Sequence, residues 1–195
     1  MKQLDSHRFL PVIDLPEEVD VLDFTVTPPQ WSARRSEYSI GRYNEDRVGV
    51  YTQELFGGER TIHMGIDIGG PVGTPVHAPA AGILWCAGCN SASGDYGPTL
   101  MTMHMLDGQR LWMLYGHLSE QSLRGWCGGE AVAAGQVLGW IGSKEENGGW
   151  PPHLHFQLSR VEPEGCDLPG VVSRAEHAQA LLNYPDPRDV LGPLY

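Results

Sequence analysis

The 195-residue sequence has no apolar run long enough to cross a membrane, and it has few basic residues. Thirteen Lys and Arg stand against 24 Asp and Glu, so the net charge is −11 at pH 7. A nucleic-acid groove or an anionic membrane surface requires the opposite balance, and both partners are therefore disfavoured. Residues 1–24 carry acidic side chains throughout and lack the apolar core of a signal peptide. We expect a cytoplasmic protein, or a periplasmic or extracellular one if the natural start lies upstream.

Cysteine is also scarce, with four in the chain: Cys86, Cys89, Cys127 and Cys166. This number does not provide a dense disulfide framework. Cys86 and Cys89 form a C-x-x-C motif, which occurs in redox pairs and as half of a zinc site. A redox pair normally opens a helix, but a loop-like Asn-Ser-Ala-Ser-Gly-Asp stretch follows here. We expect reduced structural or loop thiols, and the role of the pair stays open.

Glycine and proline are abundant, at 25 and 15 residues, and they indicate tight turns rather than long helices. Between these turns lie short stretches with the alternation typical of strands. The predicted strands are 47–55, 61–68, 74–76, 82–87, 99–106, 109–115, 130–133, 136–141 and 151–158. Asp107-Gly108 predicts a two-residue hairpin turn, and 130–133 is expected to pair with 136–141.

One helix is predicted, late in the chain. Ser173 and Glu176 have the spacing of a capping box, and an apolar stripe follows them as far as Asn183. Pro185 and Pro187 end the helix. Many short strands and a single helix predict a mainly β, sheet or barrel-like fold with appended arms.

The stretch 151–158, Pro-Pro-His-Leu-His-Phe-Gln-Leu, carries the first candidate site. In a strand, His153, His155 and Gln157 share one face, while the three apolar residues between them point into a core. This spacing suits one metal ligand with a second histidine beside the metal. Two surface histidines on a half-buried strand are the alternative.

A second candidate is His63-Met-Gly-Ile-Asp67, where residues 63, 65 and 67 share a face and Gly65 leaves space between the other two. A catalytic zinc site takes three nitrogen or oxygen ligands and keeps a fourth position open. His63, Asp67 and one histidine of the His153/His155 pair make such a set. The helical H-E-x-x-H motif, which binds zinc in many metalloproteases, is absent.

His117 follows the strand 109–115, on the same predicted face as Tyr115, which either lines a groove or is a half-buried sheet residue. Four other histidines, His7, His77, His104 and His177, stand in no ligand spacing. We expect them to be surface or hydrogen-bonded core residues.

H-x-x-x-D, Y-G-H-L-S and P-H-L-H-F, in this order, resemble the motifs of the lysostaphin/LytM-type zinc metallopeptidases. The stretches HMGIDIGGPVGTPVHAPAAGIL and GGEAVAAGQVLGWIGS also resemble that family, and the similarity runs from about Ser39 to Leu158. The resemblance implies an antiparallel β-sheet with an open groove over the site. It implies a lysostaphin/LytM-type domain at 38–160, with an N-terminal arm at 1–37 and a C-terminal extension at 161–195, whose short helix packs on the domain.

The resemblance also implies the site residues. It makes His63, Asp67 and His155 the Zn²⁺ ligands, and His117 and His153 the catalytic pair beside the metal. Zinc lowers the pKa of a bound water toward 7 and polarises the scissile carbonyl. One histidine can then take the proton of the water while the other stabilises the oxyanion, and the sequence does not determine which does which.

We therefore predict a zinc metalloendopeptidase-like hydrolase that cleaves peptide bonds, with a peptide or peptidoglycan fragment as its substrate. Two alternatives stay open: a cytosolic zinc hydrolase of another peptide or amide, and a non-catalytic binding or regulatory module. A group from the segment before the first motif, such as the Asn44 amide, is a candidate to occupy the open zinc position in a latent form. The oligomeric state is not determined by the sequence.

Overall fold

A computed structural model describes residues 9–26 and 35–195, and strands dominate its secondary structure. The strands in these residues are β1 (Asp20–Leu22), β2 (Ser39–Gly41), β3 (Arg60–His63), β4 (Ile66–Gly69), β5 (Pro75–His77), β6 (Gly82–Asn90), β7 (Gly97–Leu106), β8 (Gln109–Gly116), β9 (Ala131–Val132), β10 (Val137–Trp140), β11 (His153–Ser159) and β12 (Val171–Ser173). The helices are α1 (His177–Asn183) and α2 (Arg188–Leu191), with 3-10 turns at Glu54–Phe56 and Glu120–Leu123. The mainly β class is confirmed.

Eight strands form one sheet in the order β1-β2-β4-β11-β8-β7-β6-β9. Only the β1–β2 pair is parallel, and every other neighbouring pair is antiparallel. Two antiparallel ribbons, β10–β5 and β12–β3, lie outside this sheet. The strand that carries the two neighbouring histidines, β11, thus lies between β4 and β8 near the middle of the sheet.

Both faces of the central strands are covered. From β11, Leu154, Phe156 and Leu158 enter the largest apolar core, as the alternation predicts. Residues of β8 divide between two cores, with Met113 in the large one and Trp112 in a second one behind the sheet. The sheet between these two cores is therefore a rigid support for the polar residues that it carries.

The Asp107-Gly108 hairpin is confirmed: both residues have positive φ, 48° and 77°, between β7 and β8. The continuous strand predicted over 47–55 is wrong, because this stretch consists of turns and a 3-10 turn. The strand predicted over 61–68 is divided between β3 and β4. The predicted 130–133/136–141 pair is also wrong, since β9 pairs with β6 and β10 with β5.

The chain segments outside the predicted domain pack on the sheet. Val12 and Ile13 lie in the large core, and β1 extends the sheet edge. Residues 1–8 and 27–34 of the predicted arm lie outside the described residues, and so does the prediction for His7. The predicted C-terminal helix is present as α1 and ends at Asn183, but it begins at His177, and the short α2 follows it.

The cysteines differ from the expectation. Cys86 on β6 and Cys166 form a disulfide across a sequence separation of 80, with Cα atoms 5.6 Å apart. The prediction of reduced thiols is therefore wrong for these two, because the chain folds the 161–170 segment back against β6. Cys89 and Cys127 are free and exposed. Within the described ranges, no helix has the length and apolar character needed to span a membrane.

Candidate metal centre

The register between β4 and β11 brings a histidine and a carboxylate together. His155 lies directly opposite Asp67 in this antiparallel pair, and side chains of opposed residues are neighbours on one face. As a result, His155 Nδ1 lies 3.1 Å from Asp67 Oδ1. The predicted common face of His153, His155 and Gln157 is confirmed, since all three lie opposite the apolar face of β11.

His63 reaches the same point from the end of β3. The chain turns at Met64-Gly65, so His63 Nε2 lies 3.1 Å from Asp67 Oδ1 and 3.0 Å from His155 Nδ1. A Cβ atom on Gly65 would lie 2.5 Å from the imidazole of His155. Only glycine is compatible with this approach, and the space that the sequence predicts at residue 65 is occupied by the His155 ring.

The three atoms form a nearly equilateral triangle with the size that a metal site requires. The spacings are 3.0, 3.1 and 3.1 Å among His63 Nε2, Asp67 Oδ1 and His155 Nδ1. Ligand bonds of about 2.0–2.1 Å in a tetrahedral zinc site place the ligand atoms about 3.3–3.4 Å apart. The observed triangle is therefore slightly smaller than that of a zinc site, and a small outward shift of the three side chains would match it.

In His63 and His155, the ring nitrogen that lies away from the triangle makes a hydrogen bond. This bond orients each ring so that the lone pair of its other nitrogen points into the triangle. His63 Nδ1 lies 3.0 Å from the carbonyl oxygen of Arg42, and His155 Nε2 lies 2.9 Å from Gln157 Oε1. Both partners accept hydrogen bonds, so these nitrogens carry the ring protons. Two imidazole lone pairs and a carboxylate oxygen then face one another, and such a donor set fits a cation held by hydrogen-bonded ligands.

A buried arginine orders the carboxylate. Arg47 is 2% exposed, and its Nη1 donates to Asp67 Oδ2 at 2.6 Å while its Nε donates to Glu45 Oε2 at 2.9 Å. Its Nη2 donates to the Arg42 carbonyl at 3.1 Å, the oxygen that also holds His63. One guanidinium therefore supports two of the three candidate ligands and leaves Asp67 Oδ1 free to bind a metal.

The electrostatic environment keeps these groups in their metal-binding protonation states. Burial, followed by the charge of Arg47, lowers the pKa of His63 to about 4. Burial by itself would raise the pKa of Asp67, but its electrostatic interactions with the neighbouring His63 imidazole and the Arg47 guanidinium hold that pKa well below its ordinary value. A neutral imidazole and an ionised carboxylate are the forms that ligate a metal.

Two further histidines stand beside the triangle. The imidazoles of His117 and His153 have centroids 4.2 Å apart, and His153 Nε2 lies 3.8 Å from Asp67 Oδ1. Each Nδ1 donates to a backbone carbonyl, that of Asn147 at 2.9 Å and that of Pro151 at 2.7 Å. Both Nε2 atoms are therefore proton acceptors. Burial lowers the pKa of both imidazoles, which keeps the pair neutral near pH 7.

The position of His117 depends on a backbone conformation that alternation does not predict. His117 has a φ of 61°, so it leaves the pattern of β8 and does not share a face with Tyr115. Tyr115 is fully buried in the large core and packs on Phe156. The groove-lining role considered for Tyr115 is therefore wrong. A tyrosine that does lie at the site is Tyr96, whose ring centroid is 5.0 Å from that of His155.

Of the remaining predictions for single residues, the one for His104 is confirmed and the one for Asn44 is wrong. His104 is a buried, hydrogen-bonded core residue, as expected, with Thr102 Oγ1 2.7 Å from its Nε2. Asn44 does not occupy the metal position, because its amide oxygen accepts a hydrogen bond of 2.6 Å from His177 Nε2. The sequence interpretation missed Arg47 and Tyr96, which lie in stretches without a motif. Gln157 was placed on the right face but given no role.

A mainly β fold with a two-histidine, one-carboxylate centre has the donor set of a catalytic zinc site. Residues 61–166 match the model of Peptidase family M23, which is more than half of the chain. The chain belongs to peptidase family M23, a family of metallopeptidases, and the resemblance seen in the sequence is confirmed.

Three relatives show how much of its sequence this chain shares with known proteins. DD-carboxypeptidase/endopeptidase Mpg of Neisseria meningitidis is 36% identical over 113 residues, 55% of this chain and 23% of Mpg. Lysostaphin of Staphylococcus simulans is 36% identical over 110 residues, 56% of this chain and 20% of lysostaphin. Glycyl-glycine endopeptidase ALE-1 of Staphylococcus capitis is 36% identical over 130 residues, 64% of this chain and 32% of ALE-1. The chain thus spans about a fifth to a third of these relatives.

Solved structures agree with the fold. The catalytic domain of lysostaphin from Staphylococcus simulans aligns with a TM-score of 0.53 and 27% identity, covering 80% of this chain and 93% of that domain. A longer lysostaphin structure aligns with a TM-score of 0.51, covering 81% of this chain and 53% of that one. The antiparallel sheet expected from the motifs is therefore the fold of this chain.

Proposed function

We propose that this chain is a zinc-dependent metalloendopeptidase that hydrolyses peptide bonds of peptidoglycan-type peptides. One observation carries the proposal: three lone-pair atoms at 3.0–3.1 Å, from His63, Asp67 and His155, adjoin two imidazoles whose Nε2 atoms are unprotonated. The names of relatives that act as endopeptidases, Mpg and ALE-1, support the reaction class.

His63 Nε2, Asp67 Oδ1 and His155 Nδ1 would hold the zinc ion. When bound, zinc would supply a Lewis acid that lowers the pKa of water toward 7 and polarises the scissile carbonyl. Arg47 and Gln157 hold two of the ligands in the required orientation. Second-shell hydrogen bonds of this kind set ligand geometry and affinity.

His117 and His153 would accept and donate the proton that is transferred during hydrolysis. Each Nδ1–H is committed to a backbone carbonyl, so a proton can be accepted only at Nε2. A neutral imidazole with a free Nε2 is a general base, and once protonated it can donate to a developing oxyanion or leaving amine. Which of the two acts first stays open. The ring of Tyr96, 7% exposed, packs beside His117, with ring centroids 5.6 Å apart.

The test is cleavage by the zinc-loaded chain of purified cross-linked muropeptides and of glycine-containing peptides, beside lysostaphin as a positive control. We expect cleavage by the wild type and a loss of about 10²- to 10⁴-fold in His117→Ala, with zinc still bound. No cleavage under conditions in which lysostaphin cleaves, or equal rates for wild type and His117→Ala, would refute the proposal. Mass spectrometry of a peptide library would then test the alternative of another peptide or amide substrate.

The cellular location stays a prediction. Disulfides persist mainly in oxidising compartments, so the Cys86–Cys166 bond favours the periplasmic or extracellular alternative over the cytoplasmic one. Cell fractionation, with thiol trapping of Cys86 and Cys166 before lysis, decides between them.

A further inference from the structure

The segment 166–171 lies beside the candidate metal centre and is fastened covalently to the sheet at its beginning. Cys166 forms the disulfide with Cys86 of β6, across a sequence separation of 80. At the other end of the segment, Val171 begins β12 and lies directly opposite His63 in the antiparallel β12–β3 pair. We call residues 166–171 the strap. The match to family M23 ends at Cys166, so most of the strap lies beyond it.

Three consecutive backbone carbonyls of the strap accept hydrogen bonds from residues that surround the ligands. The donors are Tyr96 Oη to Leu168 at 3.0 Å, Gln157 Nε2 to Pro169 at 3.3 Å and Met64 N to Gly170 at 2.8 Å. Backbone carbonyls in a row cannot shift independently of one another. All three bonds therefore depend on one placement of the strap.

Two of these bonds act on metal ligands. Gln157 donates its Nε2 to the strap and accepts a hydrogen bond of 2.9 Å from His155 Nε2 at its Oε1. The strap thus fixes the amide group whose oxygen orients His155. Met64 directly follows His63, so its bond to the strap fixes the peptide unit next to the second ligand.

The packing between the strap and the site leaves no room for a displaced strap. Leu168, 5% exposed, enters the second apolar core together with Tyr96. A Cβ atom on Gly170 would collide with the Tyr96 hydroxyl. Because the Tyr96 ring packs on His155, with centroids 5.0 Å apart, a shift of the strap is transmitted to this ligand by a second route.

The disulfide is accessible to a reductant. Cys86 and Cys166 are both only partly buried. A dithiol reduces the bond by transferring two electrons and two protons to its sulfur atoms, and is itself oxidised to a disulfide. The beginning of the strap is then held by non-covalent contacts, such as the hydrogen bond of 2.9 Å from Asn90 Nδ2 to the Cys166 carbonyl.

We propose that the strap is a positioning element for His155 and His63, and that the Cys86–Cys166 disulfide fastens it, so that zinc affinity depends on the redox state of this bond. The inference rests on the proposed zinc-dependent function and adds a form of regulation to it. Groups that orient metal ligands typically contribute about 10- to 100-fold to metal affinity. The site is therefore strongest where the disulfide persists, and a dithiol weakens it.

The first experiment removes the disulfide and measures zinc affinity by chelator competition. In the double variant Cys86→Ser and Cys166→Ser, zinc affinity should fall by about tenfold or more. Serine is used because the thiolates of a reduced wild type would themselves ligate zinc. Cys89→Ser with Cys127→Ser, which removes the exposed free thiols, should leave the affinity unchanged. Equal affinities of wild type and the first double variant would overturn the inference.

The second experiment displaces the strap while the disulfide stays intact. Gly170→Ala presses a methyl group against the Tyr96 hydroxyl, so zinc affinity should fall in this variant as well. Leu106→Ala is the control for a general loss of stability, because it opens a cavity at the hairpin end of β7. It should destabilise the fold and leave zinc affinity unchanged. An equal loss of zinc affinity in both variants contradicts a specific role of the strap.

A metal-free measurement separates the strap from the proposed function. Reduction of the wild type with a phosphine should accelerate hydrogen exchange of the Met64 amide and of the strap, while the amides of β8 stay unchanged. If the wild type binds no zinc but exchange responds in this way, the proposed function fails and the hold of the strap on the site stands. If the wild type binds zinc and cleaves, but neither exchange nor zinc affinity depends on the disulfide, the inference fails and the proposed function stands.

Discussion

The floor of the groove and its walls are held in different ways. The floor consists of β4, β8 and β11, whose ladders place His155 opposite both Asp67 and Gly116. The walls include residues 42–58 and 166–171. A few backbone hydrogen bonds join them to the end of β3, such as those from Asn44 N to the His63 carbonyl and from Met64 N to the Gly170 carbonyl. Side-chain contacts then fix their positions, namely the ion pair of Arg47 with Asp67 and the disulfide of Cys166.

This difference indicates where substitutions should destabilise the protein most. Each floor position is held by several backbone hydrogen bonds and by the large apolar core beneath it, so one altered side chain removes a small share of the support. A wall segment has fewer backbone bonds to its neighbours and relies on buried side-chain groups, whose loss leaves their partners unpaired. Substitutions in the walls should therefore reduce the free energy of unfolding more than substitutions in the floor.

The largest effect is expected for Arg47→Ala. Removal of one partner from a buried ion pair costs about 3–5 kcal/mol, because the other charge remains buried. Loss of a second-shell partner also weakens metal binding by about 10- to 100-fold. Urea unfolding of the metal-free protein and chelator competition for zinc measure the two effects.

Arg110→Ala is the matched control, because the Arg110–Glu162 pair is more than half exposed. Exposed pairs contribute at most about 1 kcal/mol, and Arg110 lies outside the groove. Arg47→Lys keeps the charge but not the forked geometry, so it should fall between wild type and Arg47→Ala. Equal losses in Arg47→Ala and Arg110→Ala would show that this wall does not depend on Arg47.

Loss of the disulfide should come next. The double substitution Cys86→Ser and Cys166→Ser should lower the free energy of unfolding by about 2–4 kcal/mol. The exposed free thiols provide the control, since Cys89→Ser with Cys127→Ser should change it by at most about 0.5 kcal/mol. Denaturant unfolding with and without a reductant measures both. A wild type that is equally stable in both conditions argues against the bond.

A substitution that presses on a floor residue from the turn before β4 tests the other half of the comparison. Gly65→Ala puts a methyl group against the His155 imidazole, and such overpacking costs about 1–3 kcal/mol. Zinc affinity should fall as well, because the ring of His155 must move. Gly108→Ala at the hairpin tip has a φ of 77° and open space around it. It should lose about 1 kcal/mol through backbone strain, with zinc affinity unchanged. Unchanged zinc affinity in Gly65→Ala would contradict the crowded geometry.

The smallest effect concerns the sheet away from the groove. Burial lowers the pKa of His104 below the ordinary value of 6.5. Below about pH 6.5 the unfolded chain therefore binds a proton that the folded chain does not. The free energy of unfolding decreases as the pH is lowered from 6.5 to the pKa of His104 in the folded protein.

In metal-free His104→Gln, the slope of the unfolding free energy between pH 6.5 and 5 should decrease by at most about 1.4 kcal/mol per pH unit. An NMR titration of the His104 ring in the folded protein checks the cause directly. A folded pKa at or above 6.5 would be inconsistent with this account.

The floor could be predicted from the sequence because its information is local. Alternation in 151–158 assigns Leu154 and Phe156 to the core and His155 to the opposite face, and the structure has this arrangement. The chemical types of His63 and Asp67, with Gly65 between them, indicate a metal ligand set. The order of the motifs indicates the family. These signals lie within stretches of five to eight residues, so a linear pattern contains them.

The walls could not be predicted, because their positions depend on partners far away in the chain. The stretch 47–55 has the alternation of a strand, but it forms no strand in the structure. Arg47 pairs with Asp67 and Tyr51 packs on Trp150, so these side chains are used in long-range contacts. Cys86 finds its partner 80 residues later. Alternation also placed His117 beside Tyr115, because it contains no information on a residue that turns to positive φ at the end of a strand.

By itself, the sequence determined the mainly β class, the family and the set of residues with metal-binding chemistry, since these follow from residue type, spacing and order. Only the tertiary structure decided which atoms meet. The β4–β11 register and the outer hydrogen bonds of His63 and His155 turn their lone pairs toward Asp67. The buried charge of Arg47 then keeps that carboxylate ionised. Long-range contacts also bring Tyr51 and Trp150 together beside the ligands, and no linear pattern encodes that arrangement.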